Sequence, residues 1–233
     1  MILSIENLSV AYDSGNLFSD VSAQASEGNV IALVGRNGTG KSTFLRCILG
    51  LQKPLSGRVF VDGEDVHAMT LQQRAGFFSY VSTYSVDVAY LTARDVVAMG
   101  CTSMSRWNGA LSFEESGIVE KAMESVSVSE LSDRYISTLS DGERQRVMIA
   151  RAVAQKTPVM ILDEPTAFLD VPNRIQIHSL LRSLAKESKK IILFSTHEIE
   201  LARKYADLFW LLDGKGMSSF RTDENLLPDE FSI

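Results

Sequence analysis

Proline and cysteine are scarce in this chain, with five and two among 233 residues. So little proline, beside 15 glycines and 45% hydrophobic residues, excludes the composition of a disordered or low-complexity protein. The two cysteines, Cys47 and Cys101, have no spacing that suits a metal site and read as single buried thiols of a reducing compartment. A basic excess is missing too. Lys and Arg number 23 against 29 Asp and Glu, a net charge of −6, which argues against a general nucleic-acid binder. Long apolar runs are also lacking: the longest, such as 30–34 and 208–212, fall far short of the about 20 residues that cross a bilayer. Residues 1–6 lead straight into an alternating strand pattern, so the expectation is a chain without a leader, cytosolic by itself.

What is present is a phosphate-binding loop. Gly35-Arg36-Asn37-Gly38-Thr39-Gly40-Lys41-Ser42-Thr43 fits G-x-x-x-x-G-K-[ST] between an apolar run (30–34) and a helical one (44–49), the context in which that motif works. The glycines let backbone N–H groups approach phosphates, with the helix N-terminus adding partial positive charge. Lys41 brings a point charge to the β- and γ-phosphates, and the Ser42 hydroxyl suits Mg²⁺. The chain is therefore expected to bind a nucleoside triphosphate.

Around this loop the chain alternates. Short strands and Gly, Asn, Asp and Ser turns fill 2 to about 61, and 76–81 is a further β-rich run. Helical periodicity runs from about 84 to 125 with a polar connector at 102–109, before a buried strand at 158–162, a helix at 173–186 and a strand at 190–194. This predicts one α/β domain over 1–233, a P-loop ATPase core with a mostly parallel sheet and an inserted helical subdomain at 84–157. No internal repeat is present.

Two further segments carry chemistry. Four apolar residues at 159–162 lead into Asp163-Glu164-Pro165, so two carboxylates emerge at a strand's C-terminal end, where α/β sheets place ligands. Asp163 is placed to hold Mg²⁺, directly or through water. Glu164 is placed to act on the attacking water as general base or orienting group. Leu139-Ser140-Asp141-Gly142-Glu143 opens a helix; Ser140 with Glu143 forms a capping box, and the same capped N-terminus is an anion site.

Together these segments resemble the ATP-binding-cassette (ABC) ATPases over nearly the whole chain. The resemblance implies an N-terminal antiparallel β part beside the core, and ATP with Mg²⁺ sandwiched between two copies. The signature residues Ser140 and Gly142 of one copy would face the γ-phosphate held by the other. It further implies that Tyr12 stacks on adenine, that Asp170 belongs to the loop crossing between copies, and that His197 contacts the γ-phosphate. His67 and His178 read as structural. Thr83 stands where the family carries a glutamine that touches Mg²⁺ and couples to the membrane partner; its hydroxyl can still ligand Mg²⁺ but reaches less far than an amide, and this departure predicts slower or more loosely coupled hydrolysis. Asp141 and Glu143, replacing the usual glycine and glutamine, are similar to the importer ATPases for siderophores, haem and cobalamin, as is the segment 107–112 around Trp107. The expected function is the motor of such an importer, peripheral on the inner face of the membrane. A separate integral-membrane permease and, indirectly, an extracytoplasmic binding protein would be its partners. The alternatives are a soluble ABC ATPase acting on ribosomes or DNA, and a regulatory module with crippled turnover.

Overall fold

The computed structural model describes residues 1–12, 15–83, 90–101, 111–213 and 216–222, with backbone alone at 12, 15 and 16. Two long strands open it, β1 (Ile2–Tyr12) and β2 (Gly15–Ser26), paired antiparallel. Then come β3 (Val30–Val34) and α1 (Lys41–Ile48), followed by β4 (Ser56–Val61) and β5 (Glu64–Asp65). The first sheet has the order β2-β1-β4-β5 and is antiparallel throughout. Next are α2 (Leu71–Phe77), β6 (Phe78–Val81), α3 (Ala93–Ala98), α4 (Phe113–Ser125), α5 (Asp141–Ala154) and β7 (Val159–Leu162). The described chain closes with α6 (Val171–Ser188), β8 (Ile191–Thr196), α7 (Ile199–Tyr205), β9 (Leu208–Leu212) and β10 (Met217–Arg221).

The second sheet has the order β10-β9-β3-β8-β7-β6. Every pairing from β9 to β6 is parallel, and only the edge strand β10 is antiparallel. Its inner strands are apolar at nearly every position because both faces are covered. Ile31, Leu33, Ile161, Leu193 and Trp210 point to one face, where α1 and the first sheet complete the core. Val30, Ala32, Val34, Leu162 and Phe194 point to the other, against helices that include α5 and α6. The α/β core with an N-terminal antiparallel part is as expected.

Two local expectations need correction. The β-rich run at 76–81 becomes strand only at Phe78; Gly76 and Phe77 finish α2, which a Thr70–Gln73 capping box starts. Of the two thiols, Cys47 is buried but Cys101 is half-exposed just beyond α3. Burial pushes Cys47 up to about 11, which leaves it an unreactive thiol. Among the described residues no helix is long and apolar enough to cross a membrane.

Candidate active site

The parallel strands end in register. Val34 pairs with Thr196, and Leu162 with Phe194 and Val81. The segments after those ends are therefore brought to one edge of the sheet, as the carboxyl-end rule for open α/β sheets requires.

Beyond β3 the chain turns through Gly38 and Gly40 into α1. Gly40 has a φ of 97°, a left-handed backbone that favours glycine, and a Cβ there would press on the Leu17 side chain, 2.5 Å from its Cδ2. Lys41, 6% exposed, donates through Nζ to the Gly35 carbonyl at 2.9 Å. Thr39 Oγ1 donates to the Arg36 carbonyl at 2.9 Å, tightening the loop. A cavity of about 410 Å³ opens here, lined by Leu17, Asn37, Gly38, Gly40, Lys41, Ser42, Thr43 and Glu164.

The carboxylates come from the end of β7. Asp163 is 5% exposed, and its backbone N–H continues the strand pairing by donating to Val81 O at 2.9 Å. Its side chain accepts a 2.6 Å hydrogen bond from Ser195 Oγ. Tyr80 reaches the same carboxylate from β6. Burial, then the Asp163 charge, push its phenol up to about 12, so it stays protonated. Glu164 turns out of the strand with a φ of 48°, and its N–H donates to Ser195 Oγ at 2.8 Å. Its carboxylate lies between two cations or potential cations: Lys41 Nζ at 3.7 Å and His197 Nδ1 at 3.7 Å. The Thr83 hydroxyl donates to the Asp163 carbonyl at 2.8 Å. It thus joins the same cluster through the backbone of Asp163.

The Ser42 hydroxyl and the Asp163 carboxylate are hard oxygen donors. They suit Mg²⁺, which takes one or two protein ligands beside phosphate oxygens and water. Among the described residues no group of three or more His, Cys, Asp or Glu side chains could hold a metal alone.

Ser140, Gly142 and Asp170 are not among the residues lining this cavity. Ser140 caps α5: its Oγ accepts from Glu143 N at 3.3 Å, while its own N–H donates to Glu143 Oε2 at 2.8 Å. Ser140 also donates from Oγ to Glu143 Oε2 at 2.8 Å, and the two bonds from Ser140 N–H and Oγ–H to that carboxylate hold it below its ordinary range. Asp170 caps α6, accepting from Asn173 N at 3.1 Å and Nδ2 at 2.7 Å. A Cβ on Gly142 would lie 2.7 Å from Asn173 Oδ1, so the bare glycine lets the Asn173 side chain rest against the start of α5. Tyr12 ends β1 opposite Gly15; its side chain lies outside what is described, as does Trp107.

Two features escape a reading of the sequence. One is Ser195, which binds both Asp163 and Glu164. The other is Arg174, which donates from Nε to the Leu169 carbonyl at 2.6 Å and pairs through Nη1 with Glu198. This ties the loop before α6 to the segment after His197.

The ABC transporter family model matches residues 18–167. A cobalamin import ATP-binding protein of Halobacterium salinarum is 36% identical over 233 residues, covering 98% of this chain and 57% of that one. The iron(3+)-hydroxamate import ATP-binding protein of Bacillus subtilis is 32% identical, over 88% of this chain and 76% of its own length. Among solved structures, a metal-chelate type ABC transporter in an inward-facing conformation superposes with a TM-score of 0.85 at 28% identity, covering 99% of this chain and 87% of that one. A dimeric ATP-binding cassette bound to ADP and Pi, in a post-hydrolysis state, gives 0.79 at 26% identity over 94% of this chain and 98% of that one. With this match added to a phosphate loop and paired strand-end carboxylates on a shared sheet edge, the chain belongs to the ABC transporter family as one of its ATP-hydrolysing cassettes.

Proposed function

We propose that this cassette is the motor of an importer for cargo of the iron-siderophore, haem or cobalamin kind. Two copies would work on a separate permease at the inner face of the membrane, with an extracytoplasmic binding protein delivering the cargo. The observation that carries the motor reading is the Glu164 carboxylate, 3.7 Å from both Lys41 and His197 at the mouth of the phosphate-loop cavity. The cargo class is supported by the cobalamin and hydroxamate import relatives and by the metal-chelate transporter neighbour.

In this reading the loop from Gly35 to Thr43 wraps the phosphates. Lys41, now bonded to the Gly35 carbonyl, exchanges that partner for phosphate oxygens. Ser42 and Asp163 would hold Mg²⁺, which neutralises charge on the transferring group. Glu164 takes the proton of the attacking water or orients it, and His197 steadies the γ-phosphate. Tyr12 would stack on adenine. Ser140 and Gly142, away from the cavity of their own copy, would complete the cavity of the second copy, and Asp170 would sit where the copies meet. The dimeric neighbour bound to ADP and Pi supports that pairing.

The test is affinity purification of a Glu164→Gln variant from native membranes with Mg-ATP. A polytopic membrane protein is expected to come with it. Recovery of ribosomes or nucleic-acid enzymes in its place would overturn the proposal.

Thr83 gives a second prediction. Its hydroxyl is engaged by the Asp163 carbonyl, and it reaches less far than an amide side chain. Thr83→Gln is expected to raise turnover by roughly tenfold, about 1.4 kcal/mol of barrier, and to tighten coupling to transport. Steady-state ATPase rates in the permease complex check this, and unchanged rate and coupling would refute it.

A further inference from the structure

Ser195 is fully buried at the end of β8, a strand otherwise made of Ile191, Ile192, Leu193, Phe194 and Thr196. Its hydroxyl has two neighbours, and elementary donor counting assigns each bond. A backbone N–H can only donate, so in the 2.8 Å contact with Glu164 N the serine oxygen is the acceptor. The single hydroxyl proton is then available to Asp163 Oδ1, at the 2.6 Å expected of a hydroxyl donating to a carboxylate. One buried oxygen thus holds the side chain of Asp163 and the backbone of Glu164.

Both residues need holding. Glu164 has a φ of 48°, a region that a long side chain keeps only where the surroundings impose it. Without Ser195 its N–H loses the acceptor that fixes this turn. Asp163, accepting at Oδ1, is held in one rotamer and cannot rotate freely. Tyr80 also reaches the Asp163 carboxylate, and Thr83 bonds the Asp163 carbonyl, but Ser195 is bonded to both carboxylate-bearing residues at once.

We infer that Ser195 is a positioning residue for ATP hydrolysis: it aims the Asp163 carboxylate at the metal–nucleotide and sets the turn that places Glu164 between Lys41 and His197. This rests on the proposed roles of Asp163 and Glu164. A purely structural serine would lower stability without moving metal affinity, which gives the test its readout.

Ser195→Ala, Ser195→Thr and Asp163→Asn are compared by Mn²⁺ affinity in the presence of ATP, read by electron paramagnetic resonance, by ATP affinity without metal, and by turnover. Partners that orient a metal ligand typically govern affinity or activity by 10–100-fold. Ser195→Ala is therefore expected to weaken Mn²⁺ binding about tenfold and to slow turnover about 10–100-fold, with metal-free ATP affinity unchanged. Ser195→Thr, which keeps the hydroxyl, is expected to restore most of both. If Asp163→Asn weakens Mn²⁺ binding while Ser195→Ala keeps parental metal affinity and turnover, the inference is wrong and the Asp163 reading stands. If Asp163→Asn leaves Mn²⁺ affinity untouched, the role proposed for Asp163 falls and the inference falls with it. Should the alanine variant not fold, Ser195→Cys, with a weaker donor of similar shape, is expected to show the same two losses at smaller size; parental values there would equally overturn the inference.

Discussion

Glu164→Gln is expected to slow ATP hydrolysis by about 10²–10⁴ while leaving nucleotide binding intact. The exchange keeps the size of the side chain and the backbone N–H that Ser195 accepts, so the turn after β7 is preserved. What goes is the negative charge between Lys41 and His197, and with it the ability to take a proton from water. Lys41 retains its bond to the Gly35 carbonyl and remains available for phosphate. Single-turnover hydrolysis alongside equilibrium ATP binding measures the two effects separately. A variant that turns over at the parental rate would refute the role proposed for Glu164.

The largest expected loss of stability lies one helix away. Phe44 is fully buried in α1 and meets Phe18 edge-on at 5.7 Å and Trp210 edge-on at 6.2 Å. It thereby joins the phosphate-loop helix to β2 of the first sheet and β9 of the second. Phe44→Ala removes this joint and leaves a cavity between three elements that cannot readily collapse, at a cost of about 3–5 kcal/mol. For a chain of this size that corresponds to a fall in Tm of roughly 6–20 °C. Denaturant titration should show a lower midpoint at similar slope. Weaker ATP binding is expected as well, because α1 carries Lys41 and Ser42 into the cavity. A loss under about 1 kcal/mol would mean that α1 is anchored by other contacts.

Much of the core was legible in the sequence because its signals are contiguous. The phosphate loop, the Asp163-Glu164 pair and the capping box at Ser140 each occupy a few consecutive residues. The α/β alternation follows from apolar runs that only a doubly covered sheet accommodates. What stayed hidden depends on contacts between distant segments. Ser195 bonds residues 31 and 32 positions away, and the Thr83 hydroxyl finds a carbonyl 80 positions away. Gly142 reads as a flexible helix start, yet its lack of a Cβ is what lets Asn173 approach. The start of β6 does not show in the sequence, because Phe77 and Phe78 look alike as β-formers. The capping box at Thr70 and Gln73 carried the correcting signal.

The central position of β3 bears on how the protein is made. Its neighbours in the sheet are β8 and β9, and the Val30 N–H bonds to Asp207, 177 residues later. During synthesis this apolar strand leaves the ribosome long before either partner exists, with its backbone groups unpaired. Contacts of such span close slowly, since loop entropy is lost before any pairing compensates. The nascent chain therefore carries its nucleotide loop on an incomplete sheet for most of translation, a state open to misassociation. A ribosome stalled before β8 would hold a chain that contains every residue of the phosphate loop and no platform to present it.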